Sequence, residues 1–200
     1  MKIVKLETFL ANCGLRNYLF VRLHTDTGLT GLGEATLEWQ EMAVHTLMHE
    51  WAEERILGVC PFDIERVFAD LIRDQYQGGA TVMTVISALE IACWDIVGKA
   101  CGQPVYRLLG GQARDNLPAY ANGWYGSART PQDYADKARQ VVAMGYDGMK
   151  FDPFEQAWKT LDHAAMQSAE DIVAAVRQAV GEGVSLMIEV HGRLSAGSAI

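Results

Sequence analysis

Strand-like and helix-like segments alternate after residue 117, and this alternation limits the possible folds more than any other feature. Three segments are predicted as strands: Leu117–Asn122, Gly148–Phe151 and Val184–His191. Two predicted helices lie between them, one starting at Thr130-Pro131 and running to about Met144, the other capped by Ser168 and running to about Val180. Strand–helix units of about 30 residues indicate a parallel sheet. Because a barrel of this kind needs eight strands and about 250 residues, we expect the chain to be an N-terminal fragment.

The residues before this alternation predict a different architecture. Segments 2–10, 17–26 and 29–35 read as an antiparallel meander, in which Asp26 and Gly28 favour a tight turn. Helical periodicity follows near 39–57, 62–75 and 80–100, with a short helix after Pro104. We therefore predict an α+β capping domain over residues 1–111 and the start of a (β/α) barrel over residues 112–200.

Composition narrows the classes of partner. The 200 residues are 50% hydrophobic and carry a formal charge of −8 without a Lys/Arg cluster, which argues against nucleic acid and anionic membranes as partners. The four cysteines form no close pair, no signal peptide is recognisable, and no run reaches the ~18 apolar residues of a membrane span. These features predict a cytoplasmic protein and leave small solutes or other proteins as its partners.

Charged side chains follow the last two predicted strands. Because side chains alternate between faces along a strand, Lys150 and Asp152 share one face of the second strand, and Glu189 and His191 share one face of the third. The carboxyl edge of a parallel sheet is where ligands bind. Two carboxylates at this edge favour Mg²⁺, a hard cation that prefers oxygen ligands. The alternative is a solvated rim in which Lys150 pairs with one of the carboxylates.

Other motifs give weaker indications. His45 and His49 are four residues apart on a predicted helix, but Thr46 breaks the metalloprotease pattern, so a solvated helix face is favoured over a metal site. A glycine run of phosphate-loop type falls inside a hairpin rather than between a strand and a helix, which argues against a nucleotide site; its members are Gly28, Gly31 and Gly33. Trp94 is expected in the core.

Four segments resemble the mandelate racemase/muconate lactonising branch of the enolase superfamily. They are LFVRLHTDTGLTGLGEA, ALEIACWDIVGKACGQPVYRLLGG, GYDGMKFDPF and LMIEVHGR, and together they span nearly the whole chain. The resemblance implies an α+β cap followed by a modified (β/α)₇β barrel, and a chain nearly twice this length. Members of the family hold Mg²⁺ with acidic residues at the ends of three barrel strands, and Glu189 matches the first of these. The other two ligands and the general base would lie beyond residue 200.

The second strand departs from the family pattern. The family often carries Lys-x-Lys there, with the second lysine as a base, whereas this chain has Lys150-Phe151-Asp152. Lys150 matches the first lysine, and Asp152 stands where the base would be. The departure counts against a racemase with a lysine base on this side.

The Glu189–Arg193 run is closest to the galactonate dehydratase-like acid-sugar dehydratases, in which a histidine two residues after the first ligand acts as an acid. The resemblance therefore implies Mg²⁺-dependent dehydration of an aldonate or aldarate by α-proton abstraction, an ene-diolate intermediate and loss of water, with His191 and Lys150 as catalytic residues. Asp152 and Arg193, together with Arg16 and Trp39 of the cap, are the predicted substrate contacts, and Trp124 is a further candidate. A homo-oligomer is expected.

Three alternatives stay open at this stage. A racemase, epimerase or cycloisomerase would use the same scaffold, and a Schiff-base enzyme would use Lys150 as an amine. An inactive or binding-only protein is the third alternative, which belongs to another functional class.

Overall fold

The chain begins with a three-stranded antiparallel sheet in the computed structural model, which describes residues 1–14 and 16–200. The strands are β1 (Ile3–Asn12), β2 (Asn17–Thr25) and β3 (Thr30–Glu34), paired in the order β1-β2-β3. Gly28 makes the tight turn between β2 and β3 at φ 84°. The predicted meander is confirmed, and Leu15, between β1 and β2 in the sequence, lies outside the described residues.

Four helices follow the sheet. They are α1 (Glu41–Trp51), which continues into a π-helical turn (Ala52–Ile56), α2 (Ile64–Asp74), α3 (Ala80–Cys101) and α4 (Val105–Leu108). Gly102, at φ 62°, ends α3 in the left-handed conformation that favours glycine. The predicted helical segments match the observed ones within a few residues. The end of the first segment is π-helical rather than α-helical, which hydrophobic periodicity does not predict.

Glycine lets α3 lie directly on the sheet. A Cβ at Gly31 would come within 2.0 Å of the Ala92 carbonyl oxygen, and a Cβ at Gly33 within 2.0 Å of the Ala88 carbonyl oxygen. Gly31 and Gly33 are two positions apart on β3, so both lie on the strand face that packs against α3. These glycines serve backbone packing, which agrees with the argument against a phosphate loop.

The first core lies between the sheet and α3. Leu19, Val21 and Leu23 alternate on the covered face of β2 and are at most 1% exposed. They pack with buried residues of α3, among them Val85, Ile86, Leu89, Ala92 and Ile96, while Trp94 is partly buried against the same cluster. By length and composition alone α3 could span a membrane, but in this fold its buried residues belong to the core.

Parallel strands and helices form the second part of the chain. Its elements are α5 (Pro131–Ala143), β4 (Gly148–Phe151), α6 (His163–Val180), β5 (Ser185–Ile188) and α7 (Ala196–Ala199). β4 and β5 pair in parallel, with Phe151 opposite Ile188. Thr130 and Asp133 form a reciprocal capping box at the start of α5. By backbone proximity the chain divides into two units, Met1–Ala113 and Arg114–Ile200.

Three expectations for the second unit need correction. Leu117–Asn122 is not a strand, since only Ala121 pairs with β4, and Pro118 has no N–H to donate to a sheet. Asp162, not Ser168, caps α6, because its carboxylate accepts the Ala165 N–H at 2.8 Å. The third predicted strand, Val184–His191, ends already at Ile188.

Candidate functional site

Lys150 and Glu189 meet where the two parallel strands end. Lys150 is the third residue of β4, and Glu189 directly follows β5, held there by its N–H donating to the Phe151 carbonyl at 2.9 Å. The Lys150 Nζ atom donates to the Glu189 Oε2 atom at 2.7 Å, and both side chains are about three-quarters buried. The sequence correctly predicted that these charges share one edge.

The ion pair keeps both groups charged. The hydrogen bond from Lys150 is the largest cause that lowers the pKa of Glu189 to about 2, followed by the His191 backbone N–H. In return, the same bond raises the pKa of Lys150. Because a Schiff-base lysine must lose its proton to attack a carbonyl, this pairing argues against an amine role for Lys150.

A second ion pair joins the loops that follow β4 and β5. Arg193 Nη2 donates to Asp152 Oδ2, and Arg193 Nη1 donates to the Glu155 carbonyl at 3.1 Å. Asp152 Oδ1 accepts the Phe154 N–H at 3.0 Å, so both carboxylate oxygens are engaged. The side chains of Asp152 and Arg193 are only 14% and 15% exposed. The sequence did not predict that these two residues bind each other.

His191 lies between the two carboxylates and faces solvent. Its Nδ1 atom is 3.7 Å from Glu189 Oε1 and 3.8 Å from Asp152 Oδ2, and its side chain is 69% exposed. The backbone turns here at φ 51°, and Glu189 Oε1 accepts the N–H groups of Val190 and His191. His191 therefore reaches this edge through a turn and not, as predicted, through strand alternation.

Glu189 has room for one cation. Its Oε1 atom accepts hydrogen bonds from two backbone N–H groups, and its Oε2 atom accepts one from the Lys150 ammonium group. One of the about four acceptor positions of the carboxylate is therefore free. No group of three His, Cys, Asp or Glu side chains suited to a metal occurs among residues 1–14 and 16–200. The residues present thus fit a single carboxylate ligand for Mg²⁺.

A polar cleft of about 420 Å³ adjoins Asp152. Tyr125 and Tyr134 line it, stacked with ring centroids 5.9 Å apart, together with Arg129 and Glu155. Burial is the largest cause that raises the pKa of both phenols. Sequence reasoning missed these tyrosines. Tyr125 lies between the first predicted barrel strand and α5, where loop residues reach the carboxyl edge, and Tyr134 lies in the N-terminal part of α5.

The remaining predicted contacts have other partners or face solvent. Arg16 and Trp39 belong to the first unit, where Arg16 Nη1 is 3.4 Å from Glu38 Oε2 and Trp39 is 87% exposed. Trp124 packs edge-on against Phe151 in the second core, and its indole N–H donates to the Lys150 carbonyl at 3.0 Å. Trp124 therefore supports the strand that carries Lys150.

Comparison with protein families agrees with this architecture. The N-terminal domain of the mandelate racemase / muconate lactonizing enzyme family matches residues 6–110, and the enolase C-terminal domain-like family matches residues 133–200. The chain belongs to the mandelate racemase / muconate lactonizing enzyme family. Within the enolase superfamily it is galactonate dehydratase-like, with the family's capping domain followed by part of the barrel domain.

Relatives within the family are named as dehydratases. A D-gluconate dehydratase of Thermoproteus tenax is 39% identical over 91% of this chain and 37% of its own length. A D-galactonate dehydratase of Verminephrobacter eiseniae is 37% identical over 100% of this chain and 50% of its own length. The crystal structure of a mandelate racemase/muconate lactonizing enzyme from Jannaschia sp. CCS1 superposes with a TM-score of 0.88 at 30% identity, covering 100% of this chain and 56% of that one. The chain thus spans about half the length of its relatives, or less.

Proposed function

We propose that this protein is an Mg²⁺-dependent acid-sugar dehydratase of the cytoplasm. The observation that carries the proposal is the position of His191, whose exposed imidazole lies within 4 Å of the Glu189 carboxylate at the edge where β4 and β5 end. The relatives' names, D-gluconate dehydratase and D-galactonate dehydratase, support an acid sugar of the aldonate class, and an aldarate stays the second candidate. Glu189 would hold the cation, which supplies the positive charge that makes an α-proton beside a carboxylate removable.

The chain's own residues have separate roles in this reaction. Lys150 keeps its positive charge through the bond to Glu189, and it balances charge that develops on the substrate carboxylate. His191 presents Nδ1 to the two carboxylates, so Nε2 is the nitrogen that would deliver a proton to the leaving β-hydroxyl. A general base expected beyond residue 200 would take the α-proton, the β-C–O bond would break as the hydroxyl takes the proton of His191 and leaves as water, and the resulting enol would tautomerise to a keto acid.

Asp152 and Arg193 contribute to the same site in a different way. Their charges bind each other, and Arg193 also holds the Glu155 carbonyl. We propose that this pair keeps the loops after β4 and β5 together, with the polar atoms of Asp152 bordering the cleft beside Tyr125. Direct substrate contacts by Asp152, Arg193, Arg16 and Trp39 stay predictions.

The test replaces His191 by Asn in the full-length protein. Loss of a general acid typically costs 10²–10⁴-fold, so keto-acid formation from D-gluconate and D-galactonate should fall by about 10²–10⁴-fold with Mg²⁺ present. Exchange of the α-proton with D₂O should persist, because His191 acts after proton abstraction. His163→Asn, at the exposed start of α6, is the matched control and should keep full activity. Unchanged keto-acid formation in His191→Asn would refute the assigned role.

The same assay separates the rival functions. A racemase, epimerase or cycloisomerase would show α-proton exchange without a keto product. A Schiff-base enzyme would be insensitive to EDTA and would be labelled at Lys150 by borohydride. An inactive or binding-only protein would show neither exchange nor product across a library of acid sugars. Sedimentation of the same sample tests the expected homo-oligomer.

A further inference from the structure

Two histidines of α1 point at one hydroxyl group of the neighbouring strand. His45 and His49 are one helical turn apart, with ring centroids separated by 4.6 Å. The Thr8 Oγ1 atom on β1 lies 2.9 Å from His45 Nδ1 and 2.9 Å from His49 Nε2. Two ring nitrogens from different turns of the helix are thus aimed at the same small volume.

The hydrogen bonds at this point are compatible with neutral rings. The Thr8 hydroxyl has a single proton, so it can donate to only one imidazole, and the other ring must donate its own N–H to Oγ1. Where the hydroxyl donates, the accepting ring nitrogen directs its lone pair at Oγ1, and the other ring can direct a lone pair there once its proton moves to its second nitrogen. A metal ion there would accept lone pairs from both rings at once, in place of the hydroxyl proton and the ring proton.

The ligand chemistry selects the class of ion. Imidazole nitrogen suits Zn²⁺, Ni²⁺ and Cu²⁺, whereas Mg²⁺ prefers carboxylate and water oxygens. No third His, Cys, Asp or Glu completes the group within the part of the chain that the structure describes. An ion held by two rings keeps water in its other positions, so it would exchange with solvent and would not be a permanently bound structural metal.

We propose that His45 and His49, oriented by the Thr8 hydroxyl, form an exchangeable site for a divalent transition-metal ion. The site belongs to the first unit and uses none of the residues assigned to the proposed dehydratase chemistry. Because His45 and His49 lie on α1 and Thr8 on β1, an ion at this position favours the docked arrangement of helix and strand. Binding to the folded form alone raises the free energy of unfolding by mass action.

The proposal is tested by titrating the protein with Zn²⁺ or Ni²⁺ in a large excess of Mg²⁺, which occupies carboxylate sites. Calorimetry should report one ion per chain, and His45→Gln and His49→Gln should each weaken binding by about tenfold or more, equivalent to about 1.4 kcal/mol. His163→Gln, which replaces an exposed histidine of α6 without a histidine one turn away, is the control and should bind as the unsubstituted protein does.

Thermal unfolding gives a second readout that does not depend on catalysis. The metal should raise the Tm of the unsubstituted protein and of His163→Gln, and it should leave the Tm of His49→Gln unchanged. His49 is exposed, so its replacement should not prevent folding. Wild-type affinity in both His45→Gln and His49→Gln, or loss of binding in His163→Gln, would overturn the proposal.

Discussion

Replacing Gly33 by Ala tests whether direct backbone contact holds the first sheet against α3. The new Cβ would lie 2.0 Å from the Ala88 carbonyl oxygen, 3.0 Å from the Ala88 carbonyl carbon and 3.2 Å from Val21 Cγ1. The nearest obstacle is helix backbone, which cannot rotate away as a side chain can. To reach even 3.0 Å, the shortest separation that a Cβ atom tolerates, the helix and the strand must separate locally by about 1 Å.

The size of the effect follows from this separation. Overpacking a well-filled core typically costs about 1–3 kcal/mol, occasionally more, and a gap of about 1 Å forfeits up to half of the dispersion energy of the contacts that it opens. Val21 and Leu89, both fully buried in this interface, would lose part of their packing. We therefore expect Gly33→Ala to lower the free energy of unfolding by about 3 kcal/mol.

Urea unfolding followed by circular dichroism measures this loss, with two glycines as controls. Gly28→Ala meets no atom within 4 Å, so it should cost only the strain of a positive φ, about 1–2 kcal/mol. Gly183→Ala meets no atom and has no positive φ, so it should be neutral or slightly stabilising. If Gly33→Ala cost no more than Gly28→Ala, close approach would not be the reason for glycine at this position.

Three further predictions concern a cap, a thiol and an ion pair. Thr130→Ala removes half of the capping box and should cost about 1 kcal/mol in urea unfolding; an unchanged midpoint would contradict the assigned cap. Burial raises the pKa of Cys93 to about 12, so iodoacetamide should label the exposed Cys13 in the native protein and reach Cys93 only after unfolding. Folding lowers the pKa of Glu189 from 4.5 to about 2. The pair with Lys150 therefore stabilises the folded state at pH values above 4.5, and this stabilisation is lost as the pH falls towards 2. Lys150→Met should therefore destabilise near neutral pH but not near pH 2, and an equal effect at both would argue against the pair.

Periodicity predicted the elements that bury a regular face. β2 alternates buried and partly exposed residues, and α3 repeats apolar residues at helical spacing, so both could be located from the sequence within a few residues. The position of Glu189 beside the end of β4 could also be predicted. In a parallel sheet the carboxyl ends of neighbouring strands lie at the same edge, so residues that follow two adjacent strands lie close together.

Interactions between loops could not be predicted in this way. The Asp152–Arg193 pair joins residues 41 positions apart, and no spacing rule relates them. β5 ends where the Glu189 side chain accepts the backbone N–H groups of Val190 and His191. The alternation of apolar and polar residues does not predict such a local hydrogen bond. Asp162 and Ser168 are both good caps by residue type, and only the hydrogen bond to Ala165 decides between them.

The conformation of His191 provides a test that separates a functional site from a solvated rim. A solvated rim would be complete with the Lys150–Glu189 and Asp152–Arg193 ion pairs, and neither pair involves the imidazole. The chain nevertheless turns at φ 51° at His191, followed by Gly192 at φ 62°, and the neighbouring Glu189 carboxylate and Arg193 pair hold this turn. Asn tolerates the left-handed region as His does, so His191→Asn should leave the free energy of unfolding unchanged within about 0.5 kcal/mol. If the variant lost both stability and dehydration, the turn would be the essential feature. If it kept its stability and lost dehydration, the imidazole would be the reason for the turn.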